Sequence, residues 1–244
     1  MNIVIDVGNT HVKTGIFRDD VLIEHEHYES FELTSIQYIF NRFPSIESCI
    51  ISSVREKDTL LENELNKRTR FFLSLSSSVP LPVKNLYKTP ETLGNDRIAG
   101  IIGGTTNFPR ENLLVIDTGT AITYDIINDK NEYLGGNISP GLAMRFKALN
   151  TFTRRLPLLK KDSRFPFIGK DTNEAIIAGV QNGIIFEIEG YTRTMQEKFK
   201  SSKIILTGGD AIFFDKFIKN ANFVDPFLVL KGLNKILNYN AQTN

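Results

Sequence analysis

Leu113-Leu114-Val115-Ile116-Asp117-Thr118-Gly119-Thr120-Ala121 decides the fold, because the chain has already written the same phrase once as Ile3-Val4-Ile5-Asp6-Val7-Gly8-Asn9-Thr10. In each copy an apolar, β-branched run ends on an aspartate. A glycine follows two residues later with a small hydroxyl residue beside it, and an extended pattern then resumes, through Phe17 in the first copy and Ile127 in the second. Strand, glycine turn and strand make a hairpin. The same hairpin in both halves of one chain is an internal repeat.

Outward from the first copy, Val21 to His25 is a third strand. Leu33, Ile36, Ile39, Phe40 and Phe43 then recur at helical spacing over Glu32 to Phe43, and Pro44 stops the helix. Cys49 to Val54 reads as a buried strand, Glu56 to Arg68 as a charged surface helix and Phe71 to Leu75 as another strand. Ser76 to Pro90 is a loop with three prolines and no period. A helix over Asn95 to Thr106 has Asn95 as its candidate cap, and close helix packing would account for Gly100, Gly103 and Gly104. Outward from the second copy come a helix over Gly141 to Asn150 and a long helix over Asn173 to Lys200. A buried strand, Lys203 to Leu206, runs into Thr207-Gly208-Gly209-Asp210-Ala211, and a last helix covers Pro226 to Tyr239. With no low-complexity linker, the repeat places the domain boundary after Asn107, giving halves 1–107 and 108–244.

A 244-residue chain that is 41% hydrophobic can bury one or two cores. Lys+Arg 29 against Asp+Glu 28 leaves a net charge of +1, too small a field to gather nucleic acid or an anionic membrane, so a small-molecule partner is expected. The lone cysteine, Cys49, permits no intrachain disulfide and reads as a buried structural thiol of a reducing compartment. The start of the chain lacks a basic, cleavable leader, and no apolar run approaches the roughly 20 residues that span a bilayer. A cytoplasmic protein is expected. His11, His25 and His27 show no metal-ligand spacing.

The chemistry lies in the turns. At Asp6-x-Gly8-Asn9-Thr10 the glycine lets backbone amides approach a phosphate, the Thr10 hydroxyl adds a donor, Lys13 adds charge, and Asp6 can hold a hydrated divalent cation. The same residues also suit an ordinary hairpin turn. The second copy at Asp117 tips the balance, because a duplicated fold would set two such turns across a central cleft, around one polyphosphate. Thr207-Gly208-Gly209 reads equally as an adenosine-binding edge or as a plain strand-to-helix turn.

This pattern resembles the superfamily of acetate and sugar kinases, Hsp70 and actin, whose two RNase-H-like halves each begin with such a hairpin. The resemblance narrows to type III pantothenate kinase. It is carried by Asp6-Val7-Gly8-Asn9-Thr10-His11-Val12-Lys13-Thr14-Gly15, Ser52-Ser53-Val54, Gly94-Asn95-Asp96-Arg97, Asp117-Thr118-Gly119-Thr120-Ala121, Gly135-Gly136-x-x-x-Pro140-Gly141, Leu156-Pro157, Thr172 with Gly179, and Thr207-Gly208-Gly209-Asp210-Ala211, in the family's order along nearly the whole chain. The resemblance implies an α/β, actin-like ATPase fold with two mixed sheets flanked by helices.

It further implies that Asp6, Val7, Gly8, Asn9, Thr10, His11, Val12 and Lys13, with Thr120, Gly208 and Gly209, bind ATP and that Asp117 binds a monovalent cation, potassium or ammonium. Magnesium accompanies the nucleotide, with Asp6 as its candidate ligand. Asp96 would be the general base that takes the proton from pantothenate's primary hydroxyl. Tyr87, Gly94, Asn95, Asp96, Arg97 and Thr172 would contact pantothenate, with Thr172 reaching the site from the other subunit of a homodimer. Read without the resemblance, Asp96 and Arg97 could equally be an exposed ion pair. The stripe Ile176, Ile177, Val180, Ile184, Ile185 and Ile188 could be a core face alone or a core face plus a dimer seam. The sequence departs from the family at Asn95, where a small residue is expected, and at Gly103-Gly104, which replace an alanine-rich helix. Two other readings stay open: a kinase of another small hydroxy acid, and a transcriptional accessory protein of the same fold. The presence of Asp6, Asp96 and Asp117 together argues for catalysis.

Overall fold

Ile3, Val4 and Ile5 are wholly buried in β1 (Asn2–Val7), which pairs antiparallel with β2 (Val12–Arg18) so that Asp6 stands opposite Lys13. β3 (Val21–Tyr28) continues the meander. The chain crosses through α1 (Leu33–Arg42) to β4 (Ser48–Ser53), parallel to β1 on its other side, and through α2 (Thr59–Arg68) to β5 (Phe71–Ser74), parallel to β4. The sheet order is β3-β2-β1-β4-β5. Side chains alternate across a strand. Ile3, Ile5, Cys49 and Ile51 therefore pack with Ile36, Ile39, Phe40 and Leu65 of the two helices, whereas Val4, Asp6, Ile50 and Ser52 project from the opposite face. Cys49 is the buried free thiol expected.

Local chemistry sets the helix ends. α1 opens on a reciprocal capping box between Glu32 and Ser35. α2 starts at Thr59, later than the expected Glu56, because the Asp58 carboxylate accepts from the amides of Leu60 and Leu61 at 3.0 and 3.1 Å. The proline-rich loop holds a two-residue strand, β6 (Lys84–Asn85), and a 3-10 turn at Pro90–Thr92. α3 (Asn95–Asn107) is capped by Gly94, so Asn95 is not the cap expected; its amide instead donates to the Leu75 carbonyl at 3.2 Å.

The second copy repeats the topology as well as the sequence. β7 (Leu113–Thr118), β8 (Ala121–Ile127) and β9 (Glu132–Pro140) form an antiparallel meander. α4 (Leu142–Phe152) and α5 (Thr172–Lys198) lead to β10 (Lys203–Thr207), parallel to β7, and α6 (Ala211–Asp215) leads to β11 (Phe223–Val224), parallel to β10. Among the strands of this second copy the order β9-β8-β7-β10-β11 matches the first sheet strand for strand. The sequence did not call β9 a strand, since Gly135, Gly136 and Pro140 depress β propensity. Pairing along β8 supplies the order instead, with Gly135 at φ 114° beside a register shift at Ile126/Ile127. The core of this unit joins Leu114, Ile116 and Tyr124 to Phe146 of α4, Ile184 and Ile188 of α5 and Phe214 of α6.

The computed structural model describes residues 1–199, 201–219 and 223–243; Lys200, the expected end of the long helix, and Asn244 lie outside them. Two mixed sheets flanked by helices make the α/β class expected. The division of the chain differs from the expected halves in two respects: the break falls after Pro109 rather than Asn107, and the last helix changes sides. One unit is Met1–Pro109 together with α7 (Leu228–Thr243), and the other is Arg110–Phe227, so the last helix belongs with the first half. The reason is packing: a β-carbon on Gly232 of α7 would lie 1.8 Å from the Ala99 carbonyl of α3, and one on Gly103 would lie 2.1 Å from the Leu228 carbonyl. The close helix contact expected at Gly103 is thus made with α7, which is pinned further when the Asn2 amide donates to Asn234 and Asn238 at 2.8 and 2.7 Å. No helix among the described residues is long and apolar enough to cross a membrane.

Candidate active site

In the first unit the strand register assembles the site around Asp6. Lys13 of β2 and Ser52 of β4 are its cross-strand neighbours, at the ends of the strands where the first turn begins. The Gly8 amide donates to the His11 carbonyl at 3.1 Å and closes the turn. Asn9, Thr10 and His11 are exposed, while Val7 and Val12 pack into the core; Val12, buried, can serve a ligand only through its backbone.

Burial pushes the Asp6 carboxyl from its ordinary 3.8 up to about 6; the Lys13 charge opposes this and the like charge of Asp96 adds to it. Asp96, in the first turn of α3, is therefore electrostatic company for Asp6. The Ser52 hydroxyl, buried beside Asp6, has no hydrogen-bond partner of good geometry, so its pull on the carboxylate is weak. A half-buried carboxylate, a second carboxylate and an orphaned hydroxyl are hard oxygen ligands that fit a hydrated divalent cation.

The raised pKa has a consequence for stability. The folded protein holds a proton on Asp6 that the unfolded chain releases, so this stability is full below pH 4 and is lost as pH rises through about 6. Asp6→Asn removes the ionisation penalty, on the order of 2–3 kcal/mol at 1.4 kcal/mol per pH unit. In the absence of nucleotide and divalent cation, the variant is expected to melt above the wild type at pH 7.5 and level with it near pH 4. Thermal unfolding at both pH values checks this, and an Asn variant that melts lower at pH 7.5 overturns it.

Gly94 to Arg97 form the start of α3. Asp96 Oδ1 accepts from the Arg97 amide at 2.8 Å, and a β-carbon at residue 94 would lie 2.5 Å from that oxygen, so Gly94 keeps the carboxylate's place clear. Arg97 is only 7% exposed, which removes the reading of an exposed ion pair. Its guanidinium lies over the Tyr87 ring, 5.6 Å from the centroid, and Asn85 holds the Tyr87 amide at 2.9 Å. Aromatic face and guanidinium together make a cation–π pair. This unit brings the first turn, Asp96, Arg97 and Tyr87 into one neighbourhood. It also contains Arg55, which the sequence reading passed over: its side chain donates to the Gly8 and Asn9 carbonyls at 2.8 and 3.1 Å.

In the second unit, Asp117 is the penultimate residue of β7, with Thr123 and Thr207 as its cross-strand neighbours. Two turns close on it. β-carbons on Gly119 and Gly208 would lie 2.9 and 2.4 Å from Asp117 Oδ1, and Gly208 has φ +92°, where glycine is favoured. The Thr118 hydroxyl donates to the Thr207 carbonyl, and the Asp210 amide to the Thr118 carbonyl, both at 3.0 Å. The Gly141 amide donates to the Thr120 carbonyl at 3.1 Å, and Thr120 is exposed. Gly119 and Gly208 thus let two backbone turns close on the Asp117 carboxylate, which sets its oxygens among backbone carbonyls. Gly209 is exposed beside them. Thr172 is also exposed, as the first residue of α5, and among the described residues no hydrogen bond joins it to the Asp117 cluster.

Comparison with known proteins shows the family. The family model for type III pantothenate kinase matches residues 2–194. A type III pantothenate kinase from Bacteroides fragilis is 46% identical over 98% of this chain and 98% of its own, and one from Christiangramia forsetii is 42% identical over 98% and 99%. Among solved structures, a Campylobacter jejuni protein assigned to the Baf family of transcriptional activators is 24% identical with a TM-score of 0.66, covering 98% of this chain and 99% of its own. The activator of the 2-hydroxyisocaproyl-CoA dehydratase from Clostridium difficile, with bound ADPNP, is 11% identical with a TM-score of 0.57, covering 99% and 97%. At these identities the structures speak for the fold alone. With relatives above 40% identity along almost its full length, the chain belongs to the type III pantothenate kinase family.

Proposed function

We propose that the protein transfers the γ-phosphoryl group of ATP to the primary hydroxyl of pantothenate, forming 4′-phosphopantothenate and ADP in the first step of coenzyme A biosynthesis. The observation that carries this reading is the family match along the chain, together with the company that Asp6 and Asp96 keep in the first unit. Phosphoryl transfer asks a protein mainly for positioning and charge neutralisation. Amides of the Asp6 to Lys13 turn and the Lys13 ammonium bind phosphate oxygens, with Thr120, Gly208 and Gly209 as the nucleotide's further contacts. Asp96 orients the acceptor hydroxyl and takes its proton as the oxygen attacks phosphorus. Arg97, held against Tyr87, presents a planar fork to pantothenate's carboxylate or amide, and Gly94 and Asn95 line the same approach.

Asp6 would hold magnesium, which supplies charge neutralisation on the nucleotide; the orphaned Ser52 hydroxyl beside it favours such a ligand. Asp117, on which the Gly119 and Gly208 turns close, would hold potassium or ammonium. We further assign a cytoplasmic homodimer in which Thr172 serves the partner's site. Support for the second copy comes from a 580 Å³ groove along α5 lined by Phe165, Phe167, Ile185 and Phe186, of which Phe167 is 74% exposed.

The deciding experiment is a coupled assay of the purified protein. ADP release is expected to require pantothenate and to fall when sodium replaces potassium. ADP release that ignores pantothenate sinks the substrate assignment, and equal rates in the two salts sink the cation assignment alone.

A further inference from the structure

We infer that Arg55 is the positioning residue of the phosphate turn, gripping it from behind so that its amides face the nucleotide. The inference rests on the ATP-binding reading of that turn. β4 stays paired with β1 one residue beyond its formal end, since the Val54 amide donates to the Val7 carbonyl at 3.1 Å. The next residue, Arg55, therefore emerges alongside the turn, and its amide donates to the Ser53 hydroxyl at 3.0 Å while that hydroxyl donates to the Arg55 carbonyl at 3.2 Å. The side chain then reaches across to two successive peptide groups, with Nε on the Gly8 carbonyl at 2.8 Å and Nη2 on the Asn9 carbonyl at 3.1 Å.

A planar trans peptide points its C=O and its N–H in opposite directions. The Gly8 carbonyl shares its plane with the Asn9 amide, and the Asn9 carbonyl shares its plane with the Thr10 amide. Fixing both carbonyls with one rigid guanidinium therefore aims both amides away from Arg55. The turn's own hydrogen bond uses the Gly8 amide, so Asn9 and Thr10 carry the amides available for a phosphate. A flexible, exposed loop would have to order these two planes at the moment of binding, which weakens affinity. Arg55 does so in advance.

Packing does not explain the position of the side chain. Arg55 is exposed at the rim of a 390 Å³ cavity, and among the described residues it pairs with no carboxylate. Its charge is thus available to polarise the two peptides toward the phosphate. Lysine cannot substitute, because a single ammonium on a flexible stem lacks the planar fork that spans two carbonyls.

The test is steady-state kinetics and nucleotide titration on full-length wild type, Arg55→Ala and Arg55→Lys. Arg55→Ala is expected to raise KM for ATP about tenfold, the scale of losing charge-assisted hydrogen bonds, while KM for pantothenate stays within twofold and the melting temperature is unchanged. Arg55→Lys is expected to follow the alanine variant although it keeps the charge. If Arg55→Ala fails to fold, Arg55→Lys decides by the same split. A KM for ATP within twofold of wild type in the variant, or equal rises for both substrates, overturns the role of Arg55. Absence of ATP binding by the wild type overturns the nucleotide reading as well, and so separates the two failures.

Discussion

Asp96→Asn is expected to lower kcat by about a thousandfold, within the range that a positioned general base contributes, while leaving the fold and nucleotide binding intact. The substitution is informative because asparagine keeps the oxygen that accepts from the Arg97 amide at 2.8 Å, so the first turn of α3 has no reason to rearrange. What disappears is the negative charge and the capacity to take a proton. Losing that charge also removes a like-charge neighbour from Asp6, whose carboxyl then ionises more readily. Affinity for the magnesium nucleotide is therefore expected to hold or rise as turnover collapses. Single-turnover kinetics and ATP titration of the same preparation check both halves. Near-normal turnover overturns the assignment of the base, and a parallel loss of ATP binding shows that Asp96 acts on the nucleotide.

Gly232→Ala is expected to destabilise the protein by about 3 kcal/mol or more, the upper range for forcing an extra carbon into a packed interface. For a chain of this size that is a fall of roughly 10 °C in Tm. The added β-carbon would meet backbone on every side: the Ala99 carbonyl oxygen at 1.8 Å, its carbon at 2.6 Å and the Gly103 amide nitrogen at 2.8 Å. No rotamer change can relieve this, so α7 must lift from α3. Gly190→Ala in α5 is the matched control, because nothing lies within 4 Å of its added carbon. There the better helix propensity of alanine should stabilise by about 0.5–1 kcal/mol. Thermal unfolding of both variants tests the pair, and a Gly232→Ala protein as stable as wild type would mean that α7 does not approach α3 this closely in solution.

Much of the fold was legible in the sequence because it is written in local chemistry. The apolar runs ending on Asp6 and Asp117 became β1 and β7, and the spacing of Ile36, Ile39 and Phe40 became the buried face of α1. The glycines of the turns likewise marked the places where backbone comes close to something else. The misses share a cause, in that each depends on a partner distant in sequence. β9 contains two glycines and a proline and is a strand only because β8 pairs with it. Arg55 looks like one more charge in Arg55-Glu56-Lys57-Asp58 until β4 is laid beside β1. Ser52 was part of a recognised motif, but its place beside Asp6 comes from strand register.

The sequence alone determined that the chain carries two copies of one hairpin, each opening on an Asp-Gly turn, since periodicity and turn residues act over a few neighbours. Tertiary structure decided where the last helix goes and what surrounds each carboxylate. α7 follows the second sheet in the chain but packs on α3, because only Gly103 and Gly232 allow two helix backbones to meet so closely. Asp6 is an ordinary aspartate in the sequence; burial and the charges of Lys13 and Asp96 make it a weak acid, and those surroundings exist only once β1, β2 and α3 have come together.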